Sequence, residues 1–295
     1  MASLRQQETA DACWEFDDYA AAAAEAASAK LQERSDREKR LTRTIESEII
    51  PRLLLAHGGR GADEAPNRRS GSPTLDAKDI ERFASLLLEQ DISAAAGFVV
   101  TARGLGTPLE VIFLDLFAPA ARHLGDLWTA DRCDFVDVTM GLSRLQQLLR
   151  DLGPFFETEG EPTDSGRRVL LIPAPGEQHT FGLSMVEEFF RRAGWEVWVE
   201  GPKSAEDLVA YLRGMWFGVI GMSVSGDRLL DQLAPAIRSI RRESLNRGIG
   251  IMVGGRIFVE HPELVALVGA DATASDARQA VVQAQILLRL VGGRS

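Results

Sequence analysis

The sequence predicts an α/β fold: an N-terminal helical extension, then a four-helix bundle, then a five-stranded parallel sheet with helices on both faces. Three observations carry that reading. Beyond Arg168, short apolar runs alternate with amphipathic helical segments, the pattern of a doubly wound sheet. Before it, four segments with helical spacing are separated by connections of a few residues, which makes neighbours antiparallel. Further on, Gly176-Glu177-Gln178-His179-Thr180-Phe181-Gly182 joins the end of an apolar strand to the start of an amphipathic helix. A histidine is thereby presented at a strand tip, the edge where open α/β sheets bind ligands.

Residues 1–78 differ in kind from the rest. Ala20 to Lys30 favours helix by propensity, and Thr42, Ile45, Ile49, Ile50, Leu53 and Leu54 share one helical face, with Pro51 as a kink or restart. Gly58 to Ser72 has the composition of a flexible linker. The whole stretch reads as a partly disordered extension that orders against something else, or more sharply as a helical arm that docks a partner. The bundle, 79–152, is predicted from helices over Asp79–Gln90, Ile92–Leu105, Pro108–Ala130 and Phe135–Leu152, with Thr107 and Asp134 as N-caps of the last two. Residues 153–167, carrying Gly153, Pro154, Gly160, Pro162 and Gly166, read as a second linker. In 168–295, strands are expected at 168–173, 195–200, 217–222, 249–253 and 271–273, giving a flavodoxin-like or Rossmann-like domain.

Composition narrows the function classes. A length of 295 residues suits about two domains, and 45% hydrophobic content fills real cores. A net charge of -10 disfavours direct phosphate-backbone binding, which needs Lys and Arg. Cys13 and Cys133 form no CxxC pair, so neither a disulfide framework nor a structural zinc site is indicated. The N-terminus lacks a signal core and no run is long enough to span a bilayer. The expectation is a cytoplasmic protein with no membrane partner.

The loops after the strands discriminate among ligands. A phospho-accepting receiver domain needs acidic residues at the first strand end, where this chain has Pro173-Ala174-Pro175, and a dinucleotide fold needs GxGxxG, which 176–182 lacks. What stands there instead is the projecting His179 with Glu177 two residues before it, the small residues Ser223-Val224-Ser225-Gly226 after strand three, and Gly254-Gly255 after strand four. Glycine at 182 and at 254–255 permits close approach of a bulky planar ligand or a nucleotide tail, and a carboxylate beside a histidine holds its second ring nitrogen. Arg238, Arg241, Arg242 and Arg247 read as a solvated basic face, with a nucleic-acid or partner contact as the other reading.

Glu177-x-His179-x-x-Gly182, Ser223-Val224-Ser225 and Gly254-Gly255, followed by Gly269-Ala270-Asp271 and Asp276-Ala277, resemble the signature of the cobalamin-binding domain family. The family's first motif carries aspartate where this chain has Glu177. The resemblance implies that His179 is the lower axial ligand of cobalt, with the displaced dimethylbenzimidazole tail inserted into the sheet domain. It also implies contacts from Glu177, Thr180, Gly182, Ser223, Val224, Ser225, Gly254 and Gly255. Sheet domains of this family commonly follow a four-helix cap over the upper corrin face. Leu124-Gly125-Asp126-Leu127-Trp128 resembles the cap segment whose tryptophan lies over that face in CarH-type sensors, although Thr129 and Val138-Thr139 replace that group's histidine and Glu-His pair.

Longer runs, Thr44 to His57, Leu114 to Trp128 and Asp137 to Gln146, resemble the AerR/PpaA antirepressors of photosynthetic proteobacteria, with 42–290 covered. That resemblance implies a light-responsive, vitamin-dependent regulator that binds a CrtJ/PpsR-type repressor and reaches DNA mainly through it. The cofactor expected is adenosylcobalamin, methylcobalamin or hydroxocobalamin, with His123 or His57 as candidate upper ligand. Homo-oligomerisation is left open. The competing class is a corrinoid carrier in methyl transfer, which uses the same cap and sheet domain. No Ser/His/Asp, Cys/His or paired-carboxylate arrangement points to independent catalysis, so a non-enzymatic role is expected.

Overall fold

The computed structural model describes residues 75–89, 91–199 and 205–292. The extension up to residue 74, with the Thr42–Leu54 face, the 58–72 linker and His57, lies outside the described residues.

Four helical stretches come first. α1 (Ala77–Leu88) starts at a capping box: the Asp76 carboxylate accepts from the Lys78 and Asp79 amides, and Asp79 accepts from the Asp76 amide. α2 (Ile92–Gly104) is capped by Asp91. α3 runs continuously over 109–129 from Leu109–Val111 through a π-helical stretch, Ile112–Phe117, into Ala118–Thr129. α4 (Phe135–Thr158) begins on the expected Asp134 cap, again as a capping box with Asp137. Thr107, expected as the other cap, makes no capping bond: Pro108 takes that position and the Thr107 hydroxyl is buried without a partner.

α4 also runs past its expected end at 152, through Pro154 to Thr158. The apolar stripe Leu145, Leu148, Leu149, Leu152 and Phe156 continues across the proline, and burial of Phe156 outweighs the lost backbone bond. The linker read over 153–167 therefore contracts to 159–163, because β1 (Asp164–Pro173) begins early. Packing inside this layer is aromatic: Phe83 stacks on Phe117 at 5.4 Å, and Phe113 meets Phe156 edge-on at 4.9 Å.

α5 (Phe181–Arg192), β2 (Trp195–Trp198), α6 (Ala205–Gly214), β3 (Val219–Ser223), α7 (Leu230–Glu243), β4 (Gly250–Gly254), the short α8 (Arg256–Glu260) and α9 (Glu263–Val268), and α10 (Ala277–Gly292) complete the described chain. The sheet has four strands in the order β2-β1-β3-β4, every pair parallel. Val169 to Ile172, Ile220, Met222 and Ile251 to Val253 are buried, as a sheet covered on both faces requires. The expected fifth strand at 271–273 is reduced to one bridge, Met252 to Ala272. The Asp271 carboxylate takes the Ile251 amide at 2.7 Å, so the ladder with β4 cannot extend. Asp271 also receives Arg241 at 2.8 Å, which makes the expected basic cluster in part a structural tie.

Candidate functional site

Register places the site. Pro173 pairs with Ser223 and Ser223 pairs with Gly254, so β1, β3 and β4 end side by side and their following loops share one edge. β1 is flanked by β2 on one side and β3 on the other, which makes the β1/β3 boundary the switch point where such sheets open a crevice.

The loop after β1 turns at Gly176, in the left-handed region at φ 85°. It folds around one carboxylate. Glu177 Oε1 accepts from the amides of Gln178 at 2.8 Å and His179 at 2.7 Å and from His179 Nδ1 at 2.8 Å, while Oε2 accepts from the Ser225 amide. The Glu177 side chain is 1% exposed and the His179 side chain 75% exposed. Burial pushes the Glu177 carboxyl up, but hydrogen bonds from Ser225 and from the His179 backbone and ring outweigh it and hold the group at about 2. An ionised carboxylate only accepts, so Nδ1 donates to it and Nε2 is the ring nitrogen left outside this tie. The longer side chain of glutamate spans the distance to the imidazole, and it also fastens the β1 loop to the β3 loop.

Around this pair the edge is small and under-satisfied. Ser223 Oγ and Thr273 Oγ1 are buried with no hydrogen-bond partner among the described residues. A Cβ at Gly182 or Gly254 would meet nothing within 4 Å, whereas one at Gly255, at φ 128°, would collide with the Val224 carbonyl oxygen. Val224 itself is core. Thr180 Oγ1 accepts from Gln146 Nε2 of α4 at 3.3 Å, so the helical layer reaches the histidine loop. A cavity of about 470 Å³ opens beside these ends between Ser225-Gly226-Asp227 and Arg256 to Leu264. Gln146, Thr273 and Arg256 were not singled out in the sequence; only Thr273, two residues after Gly269-Ala270-Asp271, carried a local signal.

Trp128 ends α3 half-exposed and edge-on to Phe135 at 6.4 Å, with Val136 and Met140 also exposed on the start of α4. Asp126, two residues earlier, acts electrostatically on Arg256, which begins α8 directly after Gly255. His123 is half-buried on α3 and is not joined to the Glu177–His179 pair among the described residues.

These donors fit a corrinoid with a nucleotide tail: an outward imidazole nitrogen, two buried hydroxyls lacking partners, and glycines bordering open space. Residues 167–284 match the B12 binding domain. The uncharacterized 20.5 kDa protein in the bchF-crtJ intergenic region of Rhodobacter capsulatus is 31% identical over 175 residues, 59% of this chain and 90% of that relative. The chain belongs to the B12-binding domain family. Its fold is that of the Methanosarcina barkeri monomethylamine corrinoid protein, at a TM-score of 0.59 and 18% identity, covering 71% of this chain and 96% of that one. The B12-binding domain thus contains every expected sheet-loop residue from Glu177 to Gly255, and its cofactor class is cobalamin. No described helix is long and apolar enough to cross a membrane.

Proposed function

We propose that the protein is a light-responsive, cobalamin-binding transcription regulator, an antirepressor acting through a CrtJ/PpsR-type repressor on photosynthesis genes. The observation that carries the proposal is the Glu177–His179 pair, whose buried carboxylate holds an exposed imidazole. His179 would hold cobalt as lower axial ligand. Ser223, Thr180, Ser225 and the glycines at 182, 254 and 255 would receive the tail, and Trp128 would cover the upper corrin face. The cobalt–carbon bond of an alkylcobalamin is weak and photolabile, so the bound group supplies the light sensitivity. His123 or His57 is the candidate for the upper site in the lit state, and movement of the cap or the 1–78 extension would then bias the repressor-binding surface.

The relative from the bchF-crtJ intergenic region supports the photosynthesis-gene reading. The net charge of -10 supports reaching DNA through the repressor in the cytoplasm. The organisation 1–78 extension, 79–152 cap, 153–167 linker and 168–295 cobalamin domain belongs to this proposal, with the linker shortened as described. The likeness to a corrinoid protein favours one second reading, a methyl carrier.

The deciding experiment is the visible spectrum of the purified chain with adenosylcobalamin, methylcobalamin and hydroxocobalamin, dark and illuminated, beside His179→Ala. A bound spectrum that shifts once with light and is weakened in the variant is expected. Multiple turnovers of methylcobalamin with a methyl acceptor would sink the regulator and support the carrier.

A further inference from the structure

A second cavity lies away from the histidine loop, between α4 and α5, with a volume of about 310 Å³. Leu149 and Pro154 give it an apolar wall, Gln146 and Ser184 are polar, and Glu157, Glu187 and Glu188 contribute three carboxylates. Two guanidiniums border it. Arg191 is committed to Glu187 at 2.5 Å, and Arg150 acts on Asp151, beside it on α4.

Glu188 is the anomaly. It is 8% exposed, edges the cavity, and has no hydrogen bond or ion pair among the described residues, Arg191 acting on it only at a distance, although its carboxylate lies so close to Gly153 that a Cβ there would collide with it. A buried carboxylate without a hydrogen-bond donor is costly, and the ordinary remedy is a donor that carries positive charge. A multidentate metal is the wrong donor, since no three described His, Cys, Asp or Glu side chains are grouped to hold one.

We infer that the α4–α5 cavity is a binding site for a small organic cation, an alkylammonium or alkylguanidinium whose charged head pairs with Glu188 and Glu157 and whose stem lies on Leu149 and Pro154. The volume is at the small end of ligand pockets, which limits the occupant to a short stem. Arg191 is bonded to Glu187 and acts on Glu188 only at a distance, so Glu188 and Glu157 are the carboxylates left without a bonded cation for the ligand to pair with. Burial holds the Glu188 carboxyl at about 7, hence a bound cation near neutral pH displaces a proton. Gln146 lines this cavity and also donates to Thr180, so an occupant here touches a side chain that is bonded to the residue next to His179.

The test is calorimetric titration of the full chain, free of cobalamin, with n-propylammonium and n-propylguanidinium, and with n-butanol as the uncharged control. It therefore stands or falls separately from the cobalamin reading. Saturable binding of a cation is expected, with a heat that changes with buffer ionisation enthalpy at pH 7, and none with n-butanol. Glu188→Gln should weaken it about tenfold or more, the loss of one charge-assisted bond. Glu157→Gln, at an exposed position, and Ser184→Phe, which fills the cavity, should weaken it independently of any folding defect at 188. Absence of saturable binding by either cation, or equal binding by all three variants, overturns the site.

Discussion

At the scale of single residues, Glu177 and Ser223 contrast a carboxylate that is fully bonded with a buried hydroxyl that has no partner among the described residues. Glu177 closes four hydrogen bonds across two loops, so Glu177→Gln should lower stability by about 1–3 kcal/mol and loosen the His179 ring. Its folded-state value of about 2 lies below the ordinary 4.5. A depressed carboxyl stabilises above its unfolded value and loses that contribution as pH falls from about 4.5 toward 2. Chemical denaturation across that range should show the drop in the natural chain and a flatter profile in the variant. Ser223 behaves oppositely. Its buried hydroxyl has no partner, so Ser223→Ala should leave the ligand-free protein unchanged or more stable by about 1 kcal/mol, while cobalamin affinity falls; a matching loss of stability would assign the hydroxyl to the fold instead.

At the scale of elements, the α4–α5 contact carries a pH dependence of the other sign, with stability lost as pH rises. Burial raises the Glu188 carboxyl to about 7, so its contribution is complete below pH 4.5 and is lost as pH rises to about 7, beyond which the penalty is constant. Glu188→Gln should remove this slope and raise stability near pH 8 by about 2–3 kcal/mol, readable in urea melts at pH 5 and pH 8.

The same elements explain what was legible. Strand cores such as Val169–Ile172 and the small residues at their ends announce themselves in periodicity and composition, and register then brings Pro173, Ser223 and Gly254 together. Four features were illegible because tertiary packing and remote partners decide them. Burial of Phe156 against Phe113 and Phe189 carries α4 through Pro154, and the Asp271 side chain cuts the fifth strand to a bridge. The π-helical stretch Ile112–Phe117 leaves ordinary helical spacing, yet Phe113 and Phe117 still reach the same aromatic core. Glu188, a charged residue in the helical run of α5, carries no mark in sequence of being buried.

At the scale of the whole described fold, three ties join the helical layer to the sheet. Phe113, Phe156 and Phe189 form an aromatic line from α3 through α4 into α5. Gln146 reaches Thr180, and Glu110 on α3 pairs with both Arg192 of α5 and Arg278 of α10. Because Arg192 also stacks over Phe156 at 4.4 Å, removing the Glu110 carboxylate frees two guanidiniums but leaves the aromatic line in place. Glu110→Ala should therefore cost about 1–2 kcal/mol without unfolding either layer. A cofactor that touches both Trp128 and His179 has to couple the two layers, and binding to the native state alone stabilises by mass action. In the natural chain, saturating hydroxocobalamin should raise the melting temperature of one shared transition. In Glu110→Ala, calorimetry should resolve a less stable helical layer when cobalamin is absent and a merged transition when it is present. Two separate transitions that cobalamin leaves unmerged would show that the ligand is held by the sheet alone and that Trp128 is not its cover.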